Sequence, residues 1–397
     1  MDLEVARAAA DPGQTRAVLA RLRAAVLSEA GLAADLAEIW QPDRFAERAA
    51  EVACAAGVPL DAAQIAQLVR PPPAAAVSDT PAPPGWLPTL VTANGDELVV
   101  DWAYFGGRRL AEPLTEQWLG ALAYLPFNRL FGVRTSLTVA PAQNGAAPAG
   151  LIFHMSRCGS TPTAQMLAAS DANLVVSEAP PIDAVVRMDP GKVGLDVAGH
   201  AALLAAIVGA FGQAGGGGRR LFVKLDSWHT RALPLFRRAF PSTPWVFLYR
   251  DPTEVMVSHM RQRGMHLAPE LVAPSFLGVE WRGEPPEEDY AARVLAAVCE
   301  AALAACPDGG GLLVNYSELP RALADRILPH CGVDASPEAR AAMQAIAKRD
   351  AKNPVAAFAP DSAAKQAAAT PAIRAAVLRH LADVYARLEA ARRLQTP

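Results

Sequence analysis

From residue 150 onward, short apolar runs alternate with longer segments of helical spacing. The runs are GLIFHMS, NLVVSE, RRLFVKLD, PWVFLYR and GLLVNY, each rich in Val, Leu, Ile or Phe and lacking polar alternation. That pattern predicts strands covered on both faces, as in a parallel sheet with crossover helices. Before residue 150 the rhythm differs. Residues 1–70 repeat Ala, Leu, Arg and Glu at helical spacing, which predicts helices gathered in a small bundle. PPPAAAVSDTPAPPG (71–85) predicts a Pro-rich linker. In WLPTLVTANGDELVVDWAYF, two β-rich runs flank Asn94-Gly95, a hairpin signal, and a helical piece around LTEQWLGALAYL follows. APAQNGAAPAG (140–150) reads as a second linker. The expected organisation is a helical region over 1–70, the linker 71–85, a small α+β accessory region over 86–147, and an α/β domain over 148–397.

Composition narrows the class. At 397 residues the chain needs more than one packed unit, and a hydrophobic fraction of 52% is far from a disordered composition. The net charge of −3 gives no basic surface for nucleic acid. The five cysteines form no C-x-x-C pair, which suits reduced thiols rather than a disulfide framework or zinc site. The start, MDLEVARAAADPG, has no basic opening followed by a long apolar run, and AALLAAIVGAF is about half a membrane span. The expectation is a cytoplasmic protein with no nucleic-acid or membrane partner, and with room for a homodimer.

The first apolar run opens GLIFHMSRCGSTPTAQMLAAS (150–170): strand, short polar turn, helix start. These are the parts of a phosphate cradle. Aligning Gly159 and Thr161 with the end of the nucleotide pattern G-x-x-x-x-G-K-[ST] puts Ser160 at the lysine position and His154 at the first glycine. Arg157 can supply the missing charge through its multi-donor fork. Thr161 and Thr163 fall in the first helical turn, where Pro162 is tolerated. By itself the loop also suits an ordinary strand–turn–helix with a Ser cap. GGGG (215–218) precedes a strand rather than following one, so it reads as a connector.

Ligands of parallel sheets bind beyond the strands' carboxyl ends. That singles out Ser156-Arg157, Glu178, Lys224 to Asp226, Arg250 and Tyr316-Ser317-Glu318. PWVFLYRDPTEVMVSHM (244–260) ends a strand in Arg250, with Asp251 as helix cap, Pro252 as first helical residue, and Ser258 eight residues beyond Arg250. The pair Phe153-His154-Met155-Ser156-Arg157-Cys158-Gly159-Ser160-Thr161 and Tyr249-Arg250-Asp251-Pro252 with Ser258 resembles the PAPS-dependent sulfotransferases. It is most similar to bacterial members and to the tyrosylprotein branch, over roughly residues 148–390. PAPS is phosphoadenosine phosphosulfate, the activated sulfate donor.

The resemblance implies a P-loop-type parallel sheet flanked by helices, and sulfuryl transfer from PAPS to a hydroxyl on a small molecule or peptide, with PAP as product. It implies that Ser156, Arg157, Cys158, Gly159, Ser160 and Thr161 hold the 5′-phosphosulfate, and that Arg250 and Ser258 hold the 3′-phosphate. No metal is implied, because the donor lacks the triphosphate that a kinase lysine and Mg²⁺ serve. Lys224, one of only five lysines, follows a strand where the family often places a lysine on the transferred group. A cation there offsets charge on the bridging oxygen. Glu178 occupies a place comparable to the tyrosylprotein branch's catalytic glutamate and leads as general base, with Asp226 and His229 competing. Histidine-base members carry His two residues after the lysine. Asp226 stands there in this chain, which departs from that pattern.

Other features carry less. LLVNYSELP (312–320) matches a late family strand and turn and reads as structural. Cys158 reads as a small filler rather than a nucleophile. The family closes a late basic segment over the 3′-phosphate, which makes Lys352 and Lys365 candidates. Residues 266–290 suit a substrate lid or a solvated loop. The rival functions are a P-loop small-molecule kinase, which needs ATP and Mg²⁺, and a non-catalytic nucleotide-binding or scaffold protein.

Overall fold

A computed structural model describes residues 12–69, 76–94, 97–108, 110, 112–142, 147–213, 218–280, 283, 285–350 and 359–395. The chain forms two compact units. The first draws on Met1–Arg108 and Gln117–Ala140, the second on Arg109–Glu116 and Pro141–Pro397.

In the first unit, helices Pro12–Leu27, Ala30–Ala37, Pro42–Ala55, Ala62–Val69 and Pro126–Phe131 accompany a four-stranded sheet. Helix Pro42–Ala55 starts on a proline at its first position and buries Phe45, Ala46, Ala49, Val52 and Ala53, the i, i+4, i+7 stripe of a core-facing helix. The sheet runs β1 (Val77–Ser78), β5 (Val133–Ser136), β3 (Glu97–Tyr104), β2 (Trp86–Asn94) in spatial order. β2 and β3 pair antiparallel up to Asn94↔Glu97, as the hairpin signal predicts, although Gly95 itself lies outside the described residues. The register shifts between Pro88 and Leu90, where proline has no N–H for the ladder. The Pro-rich linker is not wholly irregular, since Val77 and Ser78 pair with Arg134 and Thr135. Trp86, Tyr104, Phe127 and Phe131 form a chain of ring contacts, and the Trp102 indole N–H donates to Thr135 Oγ1 at 2.9 Å.

The second unit is α/β. Its sheet is six-stranded and wholly parallel, flanked by helices, in the order β10 (Gly311–Asn315), β9 (Trp245–Tyr249), β6 (Gly150–His154), β8 (Arg220–Lys224), β7 (Asn173–Ser177), β4 (Leu114–Thr115). All five apolar runs are strands, and β6, β7 and β9 are buried along their whole length. Each loses water on both faces to helices, so the lack of polar alternation is the expected pattern. Gly311 lies so close to the Trp245 indole that a Cβ there would collide with the ring.

The chain steps from β6 out to β7 and back to β8 on one side, then crosses to β9 on the other. The strand order therefore reverses at β6, where the crevice of an open parallel sheet forms. β4 was not expected. Leu114 and Thr115 pair with Val176 and Ser177, just before Glu178. Two residues are too short a run for a periodicity to register. Among the described residues, Glu287–Asp308 is long and apolar enough to cross a membrane, and half of it is buried inside the fold, where the helix Glu287–Ala305 meets the C-terminal helices Pro371–His380 and Ala382–Leu394.

Candidate functional site

The polar residues that follow β6, β7, β8, β9 and β10 line the carboxyl edge of the sheet. After β6 the backbone turns through left-handed conformations at Ser156 (φ 77°), Arg157 (φ 51°) and Gly159 (φ 89°) before the helix Ser160–Ala168 begins. Non-glycine residues rarely adopt such angles, and they concentrate at functional sites. His154 holds the turn. Its Nδ1 accepts from the Ser156 N–H at 3.0 Å, so the Nε2–H donates to the Leu225 carbonyl at 2.9 Å. Both contacts suit a neutral ring, and burial with Lys224 nearby lowers its pKa. The amides of Arg157, Cys158 and Gly159 have no acceptor among the described residues. A tight turn with free amides, opening a helix, has the geometry to accept an anion.

The loop's side chains divide. Ser156 and Arg157 are half-buried, Ser160 is buried and Thr161 is exposed. Arg157 reaches across to the Gln262 carbonyl at 2.8 Å. Cys158 is buried and donates to the Leu248 carbonyl, and burial pushes its thiol up to about 12, as a filler residue requires. Thr163 is spent inside the helix, donating to the Gly159 carbonyl at 2.9 Å.

Lys224 and Glu178 end neighbouring strands and meet. The Lys224 ammonium, buried at the tip of β8, pairs with Glu178 Oε1, while the Glu178 amide donates to the Lys224 carbonyl at 2.9 Å. Glu178 has φ 54°, and 44% of its side chain is exposed, so a second molecule can reach it. Burial acts to raise its carboxyl, but His154 and the Lys224 ammonium outweigh this and hold it below the usual carboxylate range. Two residues tied at backbone and side chain make one unit, an ionised carboxylate masked by its cation.

Asp226 and His229 follow on the same loop and are both buried. His229 Nδ1 accepts from the Asp226 amide at 3.3 Å, and its Nε2–H donates to Asp183 Oδ1 at 2.9 Å. Asp183 also accepts from the Trp228 indole at 2.7 Å and from Arg187 at 3.1 Å. Ligand atoms of Asp183, Asp226 and His229 lie within 4.8 Å of one another, close enough to share a cation. Asp183 is already served by three donors, however, so the set works as a hydrogen-bonded brace. With both nitrogens committed, His229 is placed to orient rather than to accept a proton. Burial pushes Asp226 up to about 7, against the pull of His229 and with Glu178 and Asp183 adding to the rise. Sequence reasoning missed Asp183. Its signal is a lone acid in the helix PPIDAVVR, whose other residues are apolar up to the final Arg187.

Arg250 stands at the tip of β9, across the switch point from β8. It is 4% exposed, its Nε–H donates to Glu254 at 2.6 Å, and its Nη2 donates to Asp361 at 2.6 Å and Ser362 at 3.2 Å. Its guanidinium carbon lies 3.9 Å from the centre of the Tyr316 ring. The same ring borders Gly159, where a Cβ would come within 2.8 Å of Tyr316 Cδ2. Tyr316 therefore joins the loop after β6 to the arginine after β9, a role the sequence did not reveal because the ring looks structural until both neighbours are seen. Ser258 lies on the helix Pro252–Arg261 that Asp251 caps, but its hydroxyl is turned to the Glu254 carbonyl at 2.9 Å. Lys365 is buried and paired with Asp361 at 2.8 Å, and Lys352 lies outside the described residues.

No family model matches the chain, and no curated protein does. A solved structure, "Sulfotransferase Domain from the Curacin Biosynthetic Pathway", is similar at 14% identity with a TM-score of 0.36, covering 59% of this chain and 98% of that chain.

Proposed function

We propose that the second unit transfers a sulfuryl group from PAPS to a hydroxyl on a small molecule or peptide. The observation that carries this is the shared Tyr316 ring, which borders Gly159 on one side and the Arg250 guanidinium on the other. Two groups able to bind anions, joined through one ring, suit a donor with a phosphosulfate at one end of its ribose and a phosphate at the other. The free amides of Arg157, Cys158 and Gly159, with the Arg157 guanidinium, fit the phosphosulfate. Arg250 fits the 3′-phosphate. The loop needs no lysine of its own, because Lys224 comes from the adjacent strand.

In this reading Lys224 neutralises the charge that grows on the bridging oxygen as the S–O bond breaks, and Glu178 takes the acceptor's proton. The two roles are linked. Donor charge draws Lys224 away from Glu178, the carboxylate loses the cation that holds its basicity down, and it becomes a stronger base once the donor is seated. Asp226, His229 and Asp183 brace the loop that follows Lys224.

The test is calorimetric titration with adenosine 3′,5′-bisphosphate. Wild type should bind, and Arg250→Ala should lose tenfold or more, since charge-assisted hydrogen bonds contribute about 1.5–3 kcal/mol each. Arg250→Lys separates charge from fork geometry and leaves Glu254 with a cation. Equal binding of ADP would point to phosphoryl transfer, and no binding of the bisphosphate by wild type would refute the reading.

A further inference from the structure

Arg250 and Lys365 are both buried, and one carboxylate covers them both. Asp361 Oδ1 accepts from Arg250 at 2.6 Å, and Asp361 Oδ2 lies 2.8 Å from the Lys365 ammonium. The cation side chains are 5% and 10% exposed, whereas the Asp361 side chain is 47% exposed. Ser362 places its hydroxyl 3.2 Å from the same guanidinium. Two carboxylate oxygens and a neighbouring hydroxyl thus present three oxygens where a phosphate would present its own, and they lie between the cations and solvent.

Resting on the donor reading above, we propose that Asp361 is a displaceable self-ligand that occupies the phosphate seat of Arg250 and Lys365 and sets the selectivity of that seat. A neutral sugar hydroxyl cannot compete with a carboxylate held by two cations. A phosphate monoester, with close to two negative charges and three acceptor oxygens, can. The seat therefore discriminates a nucleotide carrying a 3′-phosphate from one carrying a bare 3′-hydroxyl, and it does so through a residue that leaves when the ligand arrives. Glu254 differs. Its Oε2 reaches both Nε and Nη2 of Arg250, at 2.6 and 2.5 Å, and at 7% exposed it stays as the arginine's fixed partner.

The surroundings allow Asp361 to leave without the fold following. The helix Ser362–Ala368 is fastened to the start of the helix Pro252–Arg261 by Ser362 on Glu254 at 3.0 Å and Gln366 on Asp251 at 2.9 Å, neither of which involves Asp361.

The test compares wild type, Asp361→Asn and Gln366→Ala by calorimetry with adenosine 3′,5′-bisphosphate and with adenosine 5′-monophosphate, alongside thermal melting. Asp361→Asn should bind the bisphosphate about tenfold more tightly than wild type, with the monophosphate little changed, so that the ratio between the two ligands widens. Gln366→Ala, which loosens the helix but keeps the carboxylate, should give no such gain. Equal or weaker bisphosphate binding by Asp361→Asn, with wild type binding well, would overturn the self-ligand and leave the donor reading intact. An equal gain for both nucleotides would also overturn it, because a general charge effect would then suffice. Failure of wild type and Asp361→Asn alike to bind the bisphosphate would remove the donor reading, and the self-ligand with it.

Discussion

Asp226 lies two residues beyond Lys224, buried beside His229, and burial pushes its carboxyl up to about 7. An unfolded aspartate titrates near 3.9. Between about pH 4 and 7 the native state therefore holds a proton that the unfolded state has lost, and stability falls as pH rises through that window. Above it, the full cost of the buried charge is present. Asparagine has no proton to lose. Asp226→Asn should melt close to wild type at pH 4 and above it at pH 8, by on the order of 2–4 kcal/mol. Thermal melts at the two pH values decide this, and a constant difference between the proteins would refute it. The sequence placed Asp226, Glu178 and Lys224 together at the sheet edge, because strand ends can be read from apolar runs. It did not reveal that Glu178 and Lys224 pair, nor that Glu254 and Asp361 hold Arg250. Those contacts depend on side-chain directions and on a partner 111 positions away, which no local pattern encodes.

At the level of elements, the turn after β6 holds two of the three non-glycine residues with left-handed backbone among the described residues. Gly159 combines φ 89° with a site where a Cβ would meet Tyr316 Cδ2 at 2.8 Å and Leu319 Cδ1 at 3.0 Å. Gly159→Ala should destabilise by about 1–3 kcal/mol, from left-handed strain and the clash together. It should also weaken bisphosphate binding by pushing the Tyr316 ring off Arg250. A lowered melting temperature with unchanged affinity would show that the ring does not couple the two. The five long strands were legible because burial on both faces leaves a continuous apolar run. Pairs such as Val77–Ser78 and Leu114–Thr115 were not, since their pairing comes from the partner strand rather than from their own composition.

On the scale of the whole molecule, the chain does not pass from one unit to the other once. Residues 109–116 belong to the second unit and 117–140 return to the first. The sequence suggested a helical region over 1–70, a linker over 71–85, an accessory region over 86–147 and an α/β domain from 148, and the linker composition at 140–150 gives no hint of an earlier excursion. Leu114 and Thr115 shield the outer side of β7 at Val176 and Ser177, one residue before Glu178. A protein trimmed to begin at residue 148 would leave that outer ladder open, and an unshielded strand margin templates pairing with other copies. Size-exclusion chromatography should find the trimmed chain in larger species than the intact chain forms at the same concentration. The excursion thus acts as a selvedge, which ties the solubility of the sheet to a segment that lies upstream of every residue proposed to touch the donor.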